Sequence, residues 1–306
     1  MKKASIDLGT NTCLLLVKEE GSSETILHDE SNIVRLGQGV DQNKELHPEA
    51  MERARACIQK YVQVASSFGV KPNEIQAVGT ASSRDANNSA AFYAGIEKDF
   101  GVRFRILSGD EEAKATFLGA ALPGFNAKQM VVMDIGGGST ELVAMPDGAG
   151  IFGKSLNIGA VRMTERFLKS DPPTDDEFWK CEAAIDEMLQ SMRPWREALS
   201  KQISGEPKLV AVAGTAVTLA MIQMGIPGFD RNQIDGLRIT RGDAHRLVEE
   251  FKWRSVKERE VMPGMEPKRA DVILAGAMIF WRVMEQLSFN EAIVSTRGLR
   301  YGIFQL

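Results

Sequence analysis

Cysteine and histidine are both scarce in this chain, with three of each among 306 residues. Cys13, Cys57 and Cys181 are odd in number and scattered, without a Cys-x-x-Cys pair, so the sequence suggests neither disulfides nor a zinc site. His28, His47 and His245 stand in no recognisable catalytic setting, and Gly-x-Ser-x-Gly is absent, which leaves a serine-hydrolase mechanism unsupported. His47, just before Pro48, reads as a helix-start residue. No apolar run approaches about 18 residues, and Met1-Lys2-Lys3 leads straight into a strand instead of an apolar signal segment. Basic excess is missing too: a net charge of −4 argues against binding nucleic acid or an anionic membrane. The expectation is a cytoplasmic, reduced protein that meets any polyanionic substrate with a local basic patch.

What the chain does have is an ordinary globular composition, 43% apolar and 25% charged, and a length that exceeds one comfortable core. Two domains are therefore expected, 1–120 and 121–306, with the turn-rich stretch 120–128 as the boundary and a hinge near Pro123-Gly124. The organising stretch is Asp134-Ile135-Gly136-Gly137-Gly138-Ser139-Thr140-Glu141, which reads as strand, glycine turn, strand. Gly136, Gly137 and Gly138 remove every Cβ, so backbone N–H groups can approach a ligand, and with the Ser139 and Thr140 hydroxyls they make a cradle suited to phosphate. Asp134 ends the first strand beside that cradle. A carboxylate next to a phosphate is repulsive unless a divalent cation, normally Mg²⁺, lies between them. Glu141 is the odd acid in an otherwise apolar strand, where a metal or a water could use it.

The pattern occurs twice. Ile6-Asp7-Leu8-Gly9-Thr10-Asn11-Thr12 overlays Met133-Asp134-Ile135-Gly136-Gly137-Gly138-Ser139, and Leu14 falls where Glu141 stands. This duplication predicts two related domains whose phosphate hairpins face each other across a cleft.

Together, Asp7-Leu8-Gly9-Thr10-Asn11-Thr12 and the central Asp-Ile-Gly-Gly-Gly-Ser-Thr-Glu resemble the exopolyphosphatase / guanosine pentaphosphate phosphohydrolase family, part of the actin, Hsp70 and sugar-kinase superfamily. The resemblance runs through the chain: Arg84-Asp85-Ala86-Asn87-Asn88, Ser108-Gly109-Asp110-Glu111-Glu112-Ala113, Gly159-Ala160-Val161-Arg162, Gly214-Thr215-Ala216-Val217-Thr218, Arg269-Ala270-Asp271 and Arg297-Gly298-Leu299-Arg300 all match family runs. At Ala213 the family has a glycine. The family implies an α/β fold of two ribonuclease-H-like domains with an interdomain cleft, and Glu112 as the catalytic base. Read on physics alone, Glu111 and Glu112 are first-turn acids of a helix. Both readings hold if Glu111 caps while Glu112 faces the substrate.

The resulting expectation is a Mg²⁺-dependent hydrolase of phosphoanhydrides, acting on inorganic polyphosphate, guanosine pentaphosphate or both. Thr10, Asn11, Gly136, Gly137, Gly138, Ser139, Gly214 and Thr215 would hold phosphate. Asp134 and Glu141, with Asp7 as the first copy's acid, would hold the metal. Glu112 would take the water's proton, Glu141 would share the catalytic work, and Arg84 would stabilise phosphoryl charge. Arg297 and Arg300 read as structural pairs. A homodimer is left open. The alternatives are a small-molecule kinase of the same superfamily and a non-catalytic nucleotide switch; the Ser108–Ala113 and Arg84–Asn88 runs, untypical of such kinases, and the retained acids Asp134, Glu141 and Glu112 favour hydrolysis.

Overall fold

The apolar positions Ala4, Ile6 and Leu8 and the run Leu15–Val17 form the first two strands of a computed structural model that describes residues 1–21, 25–122, 125–146, 150–203 and 205–306. Contacts group the chain into two units: Met1–Gly119 with Leu299–Leu306, and Ala120–Gly298. Pro123 and Gly124, where the hinge is expected, lie outside the described residues.

The first unit is built on β1 (Lys2–Leu8), β2 (Thr12–Glu19), β3 (Thr25–Ile33), β4 (Gln76–Gly79) and β5 (Phe104–Ile106), ordered β3-β2-β1-β4-β5. The first three strands are antiparallel, whereas β4 and β5 run parallel to β1. The Pro48–Ser67 helix covers the sheet with Ala54, Ile58, Tyr61 and Ala65, the face its 3–4 spacing predicts. His47 is its N-cap, accepting from the Glu49 N–H. Val34 to Leu36 leaves the sheet after β3.

The second unit repeats the plan with β6 (Met130–Ile135), β7 (Thr140–Ala144), β8 (Phe152–Leu156), β9 (Lys208–Val212), β10 (Arg238–Thr240) and β11 (Glu291–Val294). Its order is β10-β11-β9-β6-β7-β8, the same arrangement with one extra antiparallel edge strand. Strand β6 is buried along its length except at Asp134, which is partly exposed. The helix starting at Asp175 ends at Gln190, and a separate one begins at Arg193 with Pro194 in its first turn, where the missing N–H costs nothing. Two mixed sheets with flanking helices make the chain an α/β protein of the ribonuclease-H-like type, duplicated.

The expected second domain, 121–306, ends in the structure at Gly298. Residues 299–306 pack into the first unit for a physical reason: Leu299 and Ile303 complete an apolar cluster with Val78, Leu107 and Ala115. Buried Arg300 makes a two-pronged ion pair with Asp29 (2.9 and 3.1 Å), and the Tyr301 hydroxyl donates to the same carboxylate at 3.1 Å. Arg300 is thus the structural pair the sequence suggested.

Candidate active site

In the second unit the turn between β6 and β7 is closed by the Gly136 N–H donating to the Ser139 carbonyl at 2.9 Å. Its carbonyls are pulled to one side. The N–H groups of Ala160 and Val161 donate to Gly136 and Gly137, that of Arg162 to Gly137, and the Arg162 Nε to Gly138 at 2.7 Å. With the carbonyls tied to the Ala160–Phe167 helix, the N–H groups of Gly137, Gly138 and Ser139 have no backbone acceptor among the described residues. Consecutive donors of this kind make an anion-binding concavity. The Thr140 hydroxyl does not join them as expected: it is fully buried and donates to the Ile158 carbonyl at 2.7 Å.

The close packing explains Gly159, which precedes that helix. A Cβ there would meet the Gly137 carbonyl oxygen at 2.4 Å, a backbone atom that cannot turn aside. Gly159→Ala is expected to destabilise the protein by about 1–3 kcal/mol through overpacking, and to cost on the order of 10²-fold in activity if the turn shifts by about 1 Å. Denaturant unfolding and phosphate-release kinetics on the same variant measure both; wild-type values in both would remove the packing argument.

Asp134 and Glu141 are direct cross-strand partners in the β6/β7 register, so their side chains share one face of the sheet beside the turn. Glu141 is buried and accepts from the Ser155 hydroxyl at 2.6 Å. Two carboxylates beside a row of N–H donors form a hard, all-oxygen donor set that fits Mg²⁺, which takes one or two carboxylates and completes its shell with water and substrate phosphate. Among the described residues no group of three or more His, Cys, Asp or Glu side chains is placed to hold an ion without such help.

The first unit repeats the turn without the acid pair. The Gly9 N–H donates to the Thr12 carbonyl at 2.8 Å, while the Thr10 carbonyl accepts from Gly37 and the Asn11 carbonyl from Val34 and Arg35. The segment that leaves β3 therefore does here what the Ala160–Phe167 helix does in the other unit. Thr10 and Asn11 are both buried. Asp7 faces Leu14, the position matching Glu141. Burial pushes the Asp7 carboxyl up to about 7, against the opposing pull of Arg300. A raised carboxyl favours the fold below its unfolded pKa of about 4, and that contribution is lost as the pH rises through 7. Asp7→Asn is therefore expected to flatten the fall in unfolding free energy between about pH 4 and 8 in chelator, a term of at most a few kcal/mol. An unchanged pH slope would overturn it.

Glu111 and Glu112 divide their roles as adjacent helical residues can. Glu111 accepts from the Ser108 N–H at 2.9 Å and its own N–H donates to the Ser108 hydroxyl at 3.2 Å, a reciprocal cap on the Gly109–Ala120 helix. Glu112 is buried, and Arg84 Nη1 donates to its Oε2 at 2.5 Å and to the Leu107 carbonyl at 2.9 Å. The pair fixes the Glu112 carboxylate in one orientation.

Gly214 and Thr215 open the Ala213–Met224 helix after β9. The Thr215 hydroxyl donates to the Ile135 carbonyl at 3.2 Å, pinning the helix to the end of β6 beside Asp134. Sequence reasoning missed Arg269: a Cβ on Gly214 would lie 2.2 Å from its Nη2, so the buried guanidinium rests on the glycine. No local pattern could pair residues so far apart. Ala213 takes φ +66°, the left-handed region where a side chain is strained by about 1–2 kcal/mol. Relief should exceed the extra chain entropy of glycine, about 0.5–1 kcal/mol. Ala213→Gly is thus expected to stabilise slightly, while Ala220→Gly within the helix destabilises; the reverse order in thermal unfolding would contradict the strain.

The structure places Asp134, Gly136, Gly137, Gly138, Ser139, Glu141, Gly214 and Thr215 in the second unit; Asp7, Thr10, Asn11, Arg84 and Glu112 belong to the first. Known proteins share this plan. A curated relative, Exopolyphosphatase 2 of Mycobacterium tuberculosis, is 32% identical over 98% of this chain and 96% of its own. The bifunctional 3-dehydroquinate synthase/phosphatase of Fusobacterium nucleatum is 30% identical over 96% of this chain, which spans 44% of that relative's length. Among solved structures, an exopolyphosphatase-like protein superposes with a TM-score of 0.88 at 31% identity, over 100% of this chain and 98% of that one. An exopolyphosphatase from Cytophaga hutchinsonii gives 0.86 at 25%, over 100% and 97%. Residues 15–305 match the model of the Ppx/GppA phosphatase family, and it is to that family that the chain belongs.

Proposed function

We propose that the protein is a Mg²⁺-dependent phosphoanhydride hydrolase that releases terminal phosphate from inorganic polyphosphate, guanosine pentaphosphate or both. The observation that carries the reading is the turn Gly136–Ser139, whose carbonyls are tied back and whose Gly137, Gly138 and Ser139 N–H groups remain as donors, next to the facing carboxylates Asp134 and Glu141. Oxygen-bound phosphate and a hard cation are what such a pairing suits.

Asp134 and Glu141 would hold the ion, with Ser155 orienting Glu141 through its hydroxyl. Bound there, Mg²⁺ supplies neutralisation of the phosphoryl charge. The chain's own residues do the rest. The turn donors orient the phosphate, and Glu112, fixed by Arg84, accepts the proton of the attacking water at its carboxylate oxygen. Arg84 also offers positive charge to phosphoryl oxygens, as phosphoryl transfer requires more electrostatic stabilisation than covalent chemistry. The curated relative named as an exopolyphosphatase supports polyphosphate as the substrate class.

The test is phosphate release from polyphosphates of defined length, beside guanosine pentaphosphate, with and without chelator. Release that depends on Mg²⁺ from at least one of these is the expected result. No release from any of them would overturn the reading.

A further inference from the structure

A threonine hydroxyl inside a helix can bond to a carbonyl one turn back, as Thr164 does at the Ala160 carbonyl, 2.8 Å away. Thr116 has the same opportunity in the Gly109–Ala120 helix and does not take it. The residue is fully buried, and its hydroxyl has no hydrogen-bond partner among the described residues. A buried hydroxyl in that state costs stability unless something pairs with it. One turn before it stands Glu112, also buried. Residues four apart on a helix share a face, with Cβ atoms about 5–6 Å apart, and each Cβ leans toward the N-terminal end. The Thr116 side chain therefore lies over the turn that carries the Glu112 carboxylate. No direct hydrogen bond joins the two, and a separation of this order is one that a single water bridges.

The chemistry of Glu112 gives such a bridge a use. Arg84 donates to Glu112 Oε2 at 2.5 Å, and a guanidinium can only donate. It suits the ionised carboxylate and offers no acceptor to the acid that forms once Glu112 has taken a proton. A hydroxyl both donates and accepts. We propose that Thr116 is a positioning residue for the proton acceptor, its hydroxyl joined to the Glu112 carboxyl group through one buried water. While Glu112 is ionised, the hydroxyl donates to the water and the water to the carboxylate. Once Glu112 is protonated both bonds reverse, the acid's O–H donating to the water and the water to Thr116 Oγ1. Only hydrogens move between the two states. The step served is the one proposed above, on which this role rests: the attacking water's proton passes to Glu112 as its oxygen bonds to phosphorus and the P–O bond to the rest of the chain breaks. The proton then leaves for solvent and the bonds return.

The test uses full-length variants. Thr116→Val keeps the shape without the hydroxyl and is expected to lower kcat for phosphate release from polyphosphate about tenfold, for one lost hydrogen bond, with KM little changed. Thr116→Ser should recover most of that loss. Added to Glu112→Gln, Thr116→Val should cost nothing further, because a residue acting through another is not additive with it. A hydroxyl that is merely unpaired predicts the reverse: valine removes a misplaced polar atom, the denaturation midpoint rises and kcat is kept, which would overturn the proposal. Equal losses in the valine and serine variants, or an added loss on Glu112→Gln, would assign the effect to packing and overturn it too. Crystallography of the parent protein supplies an arm independent of turnover. An ordered water within about 3.2 Å of both Thr116 Oγ1 and a Glu112 oxygen is expected, and its absence overturns the bridge. If that water is present and the parent releases no phosphate, the hydrolase reading fails and takes the proton step with it, while the bridge stands.

Discussion

Replacing Glu112 by Gln is expected to lower phosphate release by about 10²–10⁴-fold, mostly in kcat, because the amide keeps the size and the helix but cannot accept the water's proton. Its geometry makes this a sharp test. Glu112 is buried against Arg84, and the Gln oxygen can still accept from Nη1, so the variant should fold with that contact retained. Substrate affinity should hold or rise, since one charge that repels polyphosphate disappears. The comparison is Glu111→Gln, whose parent carboxylate caps the helix at Ser108 and pairs with Arg105 at 3.0 Å. That change should cost less than about tenfold, a helix-terminus term of about 0.3–1 kcal/mol. If Glu112 only completes an ion pair, both variants lose a little thermal stability and keep kcat. Equal kcat in Glu112→Gln and the parent would move the proton acceptor to Glu141.

Chelation is the second large effect. Removing divalent cations is expected to abolish turnover, a loss on the order of 10³-fold or more for several kcal/mol of charge stabilisation, and added Mg²⁺ should restore it. Asp134→Ala should raise the Mg²⁺ concentration needed far more than Thr218→Ala, which alters a buried hydroxyl on the Ala213–Met224 helix. Ser155→Ala removes the hydroxyl that orients Glu141 and should weaken the apparent metal affinity by about 10–100-fold while leaving Asp134 in place. Titration of activity with Mg²⁺ ranks the three. Full activity in chelator would exclude the role given to the two acids.

Much of the fold was legible because its decisive features are local. A turn that needs glycines announces itself, and a repeated Asp-x-Gly run announces a repeated hairpin; the registers Asp7 opposite Leu14 and Asp134 opposite Glu141 follow from the two-residue strand period. The Glu111 cap was equally local, three residues from its partner. What the sequence hid depends on contacts between distant residues. Nothing near Gly136 says that the Ala160–Phe167 helix will hold its carbonyls, and nothing near Gly214 says that Arg269 will lie on it. The sequence shows only an alanine at 213 where the family has a glycine, whereas the backbone there takes a positive φ. Thr140 offered a hydroxyl to phosphate only until Ile158 was seen to accept it.

The return of residues 299–306 to the first unit bears on how the molecule is made. During synthesis the whole of Ala120–Gly298 leaves the ribosome before Leu299, Arg300 and Tyr301 exist. Until then Asp29 lacks its guanidinium and hydroxyl donors, and Val78, Leu107 and Ala115 lack the apolar side chains that close over them. The later-made unit therefore has all of its parts first, while the earlier-made one has its five strands but waits for the segment that closes its apolar cluster and its ion pair. A nascent chain stalled before residue 299 should resist protease over 130–294 and be cut within 1–119, with protection of the N-terminal portion arriving only once the final segment emerges.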